Sequence, residues 1–206
     1  SSAGFHWLSV QQVHIGHIAA HAKTVSISGE LAWEIHIPLE QSVRAFEILW
    51  AAGQEFGIKP FGLRATESMR IEKGYRLWKA DLITEFNPLE SKLERFVMMS
   101  KDFVGKDALV RMHNEGHRRT FVTLELDTTE AVAHPGDSVR SGEHVSGTVT
   151  SAAWGHRTGK NLAMAFIDPV QTNSEGELGI EMLGQTFPAR IIDPCPYDPG
   201  NERVRS

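Results

Sequence analysis

Cysteine is nearly missing from this chain: the single Cys195, in Asp193-Pro194-Cys195-Pro196, has no partner for an intrachain disulfide and no CxxC neighbour for a metal. That usage fits a reducing compartment, the cytoplasm or a mitochondrial matrix. Long apolar runs are missing too. No stretch approaches the roughly 20 consecutive apolar residues that span a bilayer, and Ser1 to His6 shows no basic region ahead of an apolar run, so no membrane partner and no secretion are expected. Lys and Arg never run beyond a pair and the net charge is −5, which argues against a nucleic-acid partner, because binding to a phosphate backbone rests on clustered cations. GxSxG, HExxH, P-loop and GxGxxG patterns are all absent.

What is present can bury a core: 41% hydrophobic and 23% charged residues over 206 positions fit one large soluble domain or two small ones. Residues 10–38 read as short strands, 13–15, 23–27 and 32–37, with turns at Gly16 and Ser28-Gly29. After Pro38, the spacing of Val43, Phe46, Leu49, Trp50 and Phe56 predicts an amphipathic helix that ends at Gly57. A second helix is expected over 62–73, stopped by Gly74, with Leu63, Met69 and Tyr75 available to the core. Residues 93–98 suit a strand and 105–114 a short helix. Beyond Arg118 the pattern changes to short strands broken by Gly and Pro, at 120–126, 145–150, 162–167, 178–182 and 187–192, which predicts a small antiparallel barrel or sandwich. Residues 1–115 and 116–206 are therefore treated as separate domains, the whole reading as an α+β part followed by an all-β part.

Several residues could carry chemistry. Glu34 stands between Trp33 and Ile35 in an otherwise apolar strand, so it faces solvent or a polar ligand. A ligand-facing carboxylate there suits the adjacent N–H and NH₂ of an aminopyrimidine such as a pterin. Arg64 and Arg70 lie six apart on the second helix and do not share a face; surface pairing with Glu67 or Glu72 competes with binding of a ligand carboxylate. Trp154-Gly155-His156-Arg157 is expected in a turn, where the indole either closes over a ligand or packs. His14, His17 and His21 invite a metal, but strand and turn spacing does not point them to one face, and no metal site is expected.

Five segments occur together in order: 26–34 (Ser-Ile-Ser-Gly-Glu-Leu-Ala-Trp-Glu), 62–65 (Gly-Leu-Arg-Ala) with 69–75 (Met-Arg-Ile-Glu-Lys-Gly-Tyr), 87–90 (Asn-Pro-Leu-Glu), 102–106 (Asp-Phe-Val-Gly-Lys) and 147–151 (Gly-Thr-Val-Thr-Ser). Together they resemble the glycine cleavage T-protein, or aminomethyltransferase, family. Lys73-Gly74-Tyr75 and Trp78-Lys79-Ala80-Asp81 look closest to its sarcosine and dimethylglycine dehydrogenase branch. The resemblance implies the end of an α/β folate-binding region followed by a small antiparallel β-barrel domain, and transfer of a one-carbon unit from an N-methylated amine or aminomethyl donor to tetrahydrofolate. It places Glu34 on the family's pterin-contacting glutamate and leaves Arg64, Arg70 and Trp154 as further folate-binding candidates.

Ala32 replaces a glycine of the family pattern, and Ile27 replaces a tyrosine that packs on the folate. The family's N-terminal half, with its catalytic aspartate, has no counterpart before Ser1. The chain alone is therefore expected to be inactive, and to expose an apolar surface that invites a missing half, a dehydrogenase domain or a homodimer. FAD is expected only in an upstream domain. A non-catalytic scaffold of the same fold, and a demethylase acting on a sulfonium substrate, are the alternative readings.

Overall fold

The computed structural model describes residues 4–172 and 178–206. They fall into two compact units, one running to Arg70 and including Asp198–Ser206, the other lying between Ile71 and Tyr197.

In the first unit, strands β1 (Val10–Ile15), β2 (Ile18–Lys23) and β3 (Glu34–His36) make an antiparallel sheet in that order. Gly16, at φ 61°, begins the two-residue turn that lets β2 start at Ile18. The expected strand over 23–27 is not formed. Past Lys23, the Ser26 hydroxyl accepts the Gly29 N–H at 3.0 Å and the Ser28 hydroxyl accepts the Glu30 N–H at 3.4 Å, local bonds that replace a ladder. Alternation then divides the sheet. Ile15, Ile18 and Ala20 are buried against Ala45, with Val13, Ile37 and Ile48 packed at the margin.

Ala45 and Ile48 belong to α1 (Ser42–Gly53), which forms where the periodicity places it. Its inward face is not the expected one. Phe46 is 63% exposed and stacks on Trp50 at 5.8 Å between ring centroids, and Val43 is exposed beside them. The helix is apolar on two sides, and the small inward residues Ala20 and Ala22 of β2 suit the smaller side. Helix α2 (Leu63–Glu72) straddles the division between the units. Leu63, expected in the core, is 87% exposed, whereas Arg70, Ile71, Glu72 and the following Lys73 are buried.

The second unit is built on a closed barrel of six antiparallel strands. These are β4 (Thr120–Leu126), β5 (Ser138–Ser141), β6 (His144–Gly155), β7 (Lys160–Ile167), β8 (Leu178–Met182) and β9 (Gln185–Ile192), in the order β4-β7-β6-β5-β8-β9, with β9 closing on β4. Closure leaves no unpaired edge. Val122, Leu124, Val139, Val149, Ala163, Ala165, Ile167 and Ile180 fill the interior. The alternate residues Phe121, Leu162, Met164 and Phe166 pack outside with Ile71, which is why β4 and β7 are buried on both faces. Phe86 stacks on Phe166 at 3.7 Å, and the Arg76 guanidinium lies 4.7 Å from the Phe121 ring centre.

Two expectations fail in this unit. Residues 93–98 form a 3₁₀ turn at Glu94–Phe96 instead of a strand, with Phe96 exposed; the preceding bend is held by the Asn87 side-chain oxygen, which accepts the Leu89 and Glu90 N–H groups. Trp154 and Gly155 are strand residues paired with Asn161 and Lys160, so the turn begins only after them. The barrel also gains β5, a short polar strand with one buried apolar residue, Val139, and so without an alternation long enough to read. Helix α3 (Lys106–Glu115) forms as the spacing predicts.

Three buried carboxylates tie down the loops of this unit. Glu72 accepts the Arg157 and Thr158 backbone N–H groups at 2.8 and 2.7 Å, the Arg157 Nε–H at 2.8 Å and the Thr158 hydroxyl at 3.0 Å. Its own carbonyl accepts the Tyr197 N–H, and the Arg157 guanidinium lies 3.7 Å from the centre of the Tyr197 ring. Gly74, at φ 72°, sits against the Pro194 backbone where no Cβ would fit. Asp81 accepts the Leu77 N–H and the Thr150 and Ser151 hydroxyls, and Glu90 accepts the Asn87 and Arg118 N–H groups. On the barrel wall, burial pushes the Glu125 carboxyl up, but the hydrogen bonds and charges of Lys160 and Arg190 outweigh it and hold the group below the usual carboxylate range.

These contacts set three expectations for denaturation. Leu124→Ala, which opens the barrel core, should lower the unfolding free energy by about 3 kcal/mol in urea melts, and Phe46→Ala by no more than about 1 kcal/mol. Glu72→Ala, which removes the acceptor of two backbone N–H groups, the Arg157 Nε–H and the Thr158 hydroxyl, should cost about 3 to 5 kcal/mol in the same melts. Because the Glu125 carboxyl is lowered in the folded state, its contribution is complete above the ordinary carboxylate range and fades as pH falls through the lowered value. The stability gap between wild type and Glu125→Gln, about 1 kcal/mol or less at neutral pH, should close on acidification in pH-dependent thermal melts.

Candidate functional site

Glu34 begins β3, and its side chain belongs to the face of the sheet opposite α1. Opposed residues in an antiparallel ladder share a face, as do every second residues along a strand. Lys23 is opposite Glu34, His21 is opposite His36 and Gln12 is opposite His21, so these five residues occupy one surface with His14, which is two residues along from Gln12. Spacing alone assigned His14 and His21 to no common face. The hairpin register gives them one, while His17 lies in the turn.

On that surface the Glu34 and His36 side chains are 63% and 52% exposed, and His36 Nε2 lies 3.5 Å from Glu34 Oε2. This is the ion-pair contact of Glu34 among the described residues. The contrast with Glu72, Asp81 and Glu90 is chemical. Those carboxylates are buried and filled by protein donors, while Glu34 is exposed and accepts no hydrogen bond from the described residues. Sequence reasoning singled out Glu34 and did not take up His36, its neighbour on this face. The signal was there: a residue two positions along a strand points the same way.

The other predicted residues differ in burial and pairing. Arg64, in the first turn of α2, is exposed and has no hydrogen-bond or ion-pair partner among the described residues. Arg70 is buried and paired with Glu67, one of the two carboxylates its spacing made available. Glu72, the other, goes to Arg157. Trp154 belongs to the barrel unit, half-buried in β6. Ile27 is 48% exposed. Among the described residues, no group of three or more His, Cys, Asp or Glu is placed to hold a metal ion, and no helix is long and apolar enough to cross a membrane.

Comparison with known proteins gives a consistent result over nearly the whole chain. Residues 1–101 match the model of the GCVT N-terminal domain, and residues 119–198 match that of the glycine cleavage T-protein C-terminal barrel domain. Mitochondrial dimethylglycine dehydrogenase of Mus musculus is 36% identical over 93% of this chain and 22% of its own length. Mitochondrial sarcosine dehydrogenase of the same organism is 33% identical over 92% of this chain and 21% of its own. The crystal structure of the glycine cleavage system aminomethyltransferase T from Bartonella henselae superposes with a TM-score of 0.78 at 21% identity, covering 87% of this chain and 50% of that one. The chain thus spans about a fifth of the dehydrogenases and half of the aminomethyltransferase.

Proposed function

The chain belongs to the glycine cleavage T-protein family, and from that premise we propose that it supplies the pterin-holding part of a tetrahydrofolate-dependent one-carbon transfer from an N-methylated amine or aminomethyl donor. The observation that carries this reading is the state of Glu34. It is an exposed carboxylate on a polar sheet face, with lone pairs available for two adjacent N–H donors. An aminopyrimidine edge presents such a pair of donors. Arg64, exposed and without a carboxylate partner among the described residues, suits the glutamyl tail of a folate better than Arg70, whose guanidinium already has Glu67.

In such a site bound tetrahydrofolate supplies the nucleophilic nitrogens that accept the carbon. The residues of this chain bind and orient it, a contribution made through positioning. Residues 1–115 are assigned to the folate-binding region and 116–206 to the barrel domain, a division supported by the break between the two family models, after residue 101 and before residue 119. No residue here is assigned to proton transfer or to a flavin.

The scaffold reading draws its support from Ile27 and Ala32, which take the place of an aromatic residue and a glycine in the family pattern. A calorimetric titration of 5-formyltetrahydrofolate into the chain and into an upstream-extended form separates the two. Binding by the extended form that weakens 10- to 100-fold in Glu34→Gln is the expected outcome, the scale of losing charge-assisted hydrogen bonds. Binding unchanged by Glu34→Gln would sink the site assignment, and no binding by either form would favour the scaffold.

A further inference from the structure

Resting on that reading of Glu34, we propose that His36 is a positioning residue for it, holding the carboxylate in the orientation a ligand meets. Three features of the sheet support this. The two side chains lie two residues apart on one strand and so on one face, with His36 Nε2 3.5 Å from Glu34 Oε2. The ladder fixes that strand: Glu34, Ile35 and His36 pair in unbroken register with Lys23, Ala22 and His21 of β2, which pairs over its whole length with β1. A glutamate with three rotatable bonds on an open face otherwise samples many orientations, each of which a ligand would have to suppress.

The contact does not use up the carboxylate. Two oxygens accept from about four directions in all, and His36 lies 3.5 Å from Oε2 alone, which leaves room for two adjacent donors. Lys23, directly across the ladder from Glu34, is not within ion-pair distance of it. His36 therefore has the orienting role. An exposed pair contributes little to folding, because water screens it. Its worth should emerge on binding, when a ligand displaces that water and meets a carboxylate already held in one orientation.

The test is a double-mutant cycle in the upstream-extended protein, read by calorimetric titration of 5-formyltetrahydrofolate, with thermal melts as the control for folding. His36→Ala should weaken binding about 5- to 10-fold with an unchanged melting temperature. His36→Gln, which keeps an N–H donor, should restore affinity to within about twofold of wild type. Adding His36→Ala to Glu34→Gln should cost nothing further, since a positioning residue has no role once its carboxylate is gone. If Glu34→Gln weakens binding but His36→Ala does not, or if the two losses add, the positioning role is overturned while the site stands. If wild type does not bind, or Glu34→Gln binds as wild type does, the site reading fails and this inference with it.

Discussion

The buried carboxylate of Glu72 is the point on which the second unit depends. Four donors from Arg157 and Thr158 converge on it, and the carbonyl of the same residue receives Tyr197. The end of α2, the turn between β6 and β7 and the segment after β9 are therefore tied through one residue. A buried charge is costly unless its lone pairs are filled, so such a cluster tolerates few alternative arrangements. Asp81 and Glu90 apply the same device to two other loops, each carboxylate meeting backbone N–H groups or hydroxyls.

That arrangement sorts the acids of the chain by chemistry. Acids that hold the fold are enclosed and fully engaged; the one offered as a ligand contact lies on an open sheet face among histidines, a lysine and a glutamine. The sheet produces this face by alternation. Ile15, Ile18, Ala20 and Ala22 turn toward the helix, and their neighbours in sequence turn away from it.

Much of this was legible in the sequence where the physics is local. The strands β4, β7, β8 and β9 follow from apolar runs between Gly and Pro, and α1, α2 and α3 from 3.6-residue spacing with glycine stops. What was not legible depends on partners distant in the chain. Nothing near Glu72 announces Arg157, and nothing in α1 tells whether Phe46 or Ile48 will meet the sheet. The serine hydroxyls at 26 and 28 compete with strand pairing over distances too short for periodicity to register. Glu34 could be singled out because an acid among large apolar residues is locally anomalous. His36 is marked only by the face it shares with that acid, which shows once residues 34–36 are taken as a strand.

The closing seam of the barrel bears on kinetics. Thr123 of β4 pairs with Ile192 of β9, a contact that joins positions about 70 residues apart, whereas β1 and β2 meet across two. The entropy of closing that long loop falls due before the seam yields any ladder bond, so the hairpin can nucleate in microseconds while the barrel waits on its last strand. Until β9 docks, β4 has an unsatisfied edge, and the same inward residues that make the finished core dry make the unfinished sheet adhesive.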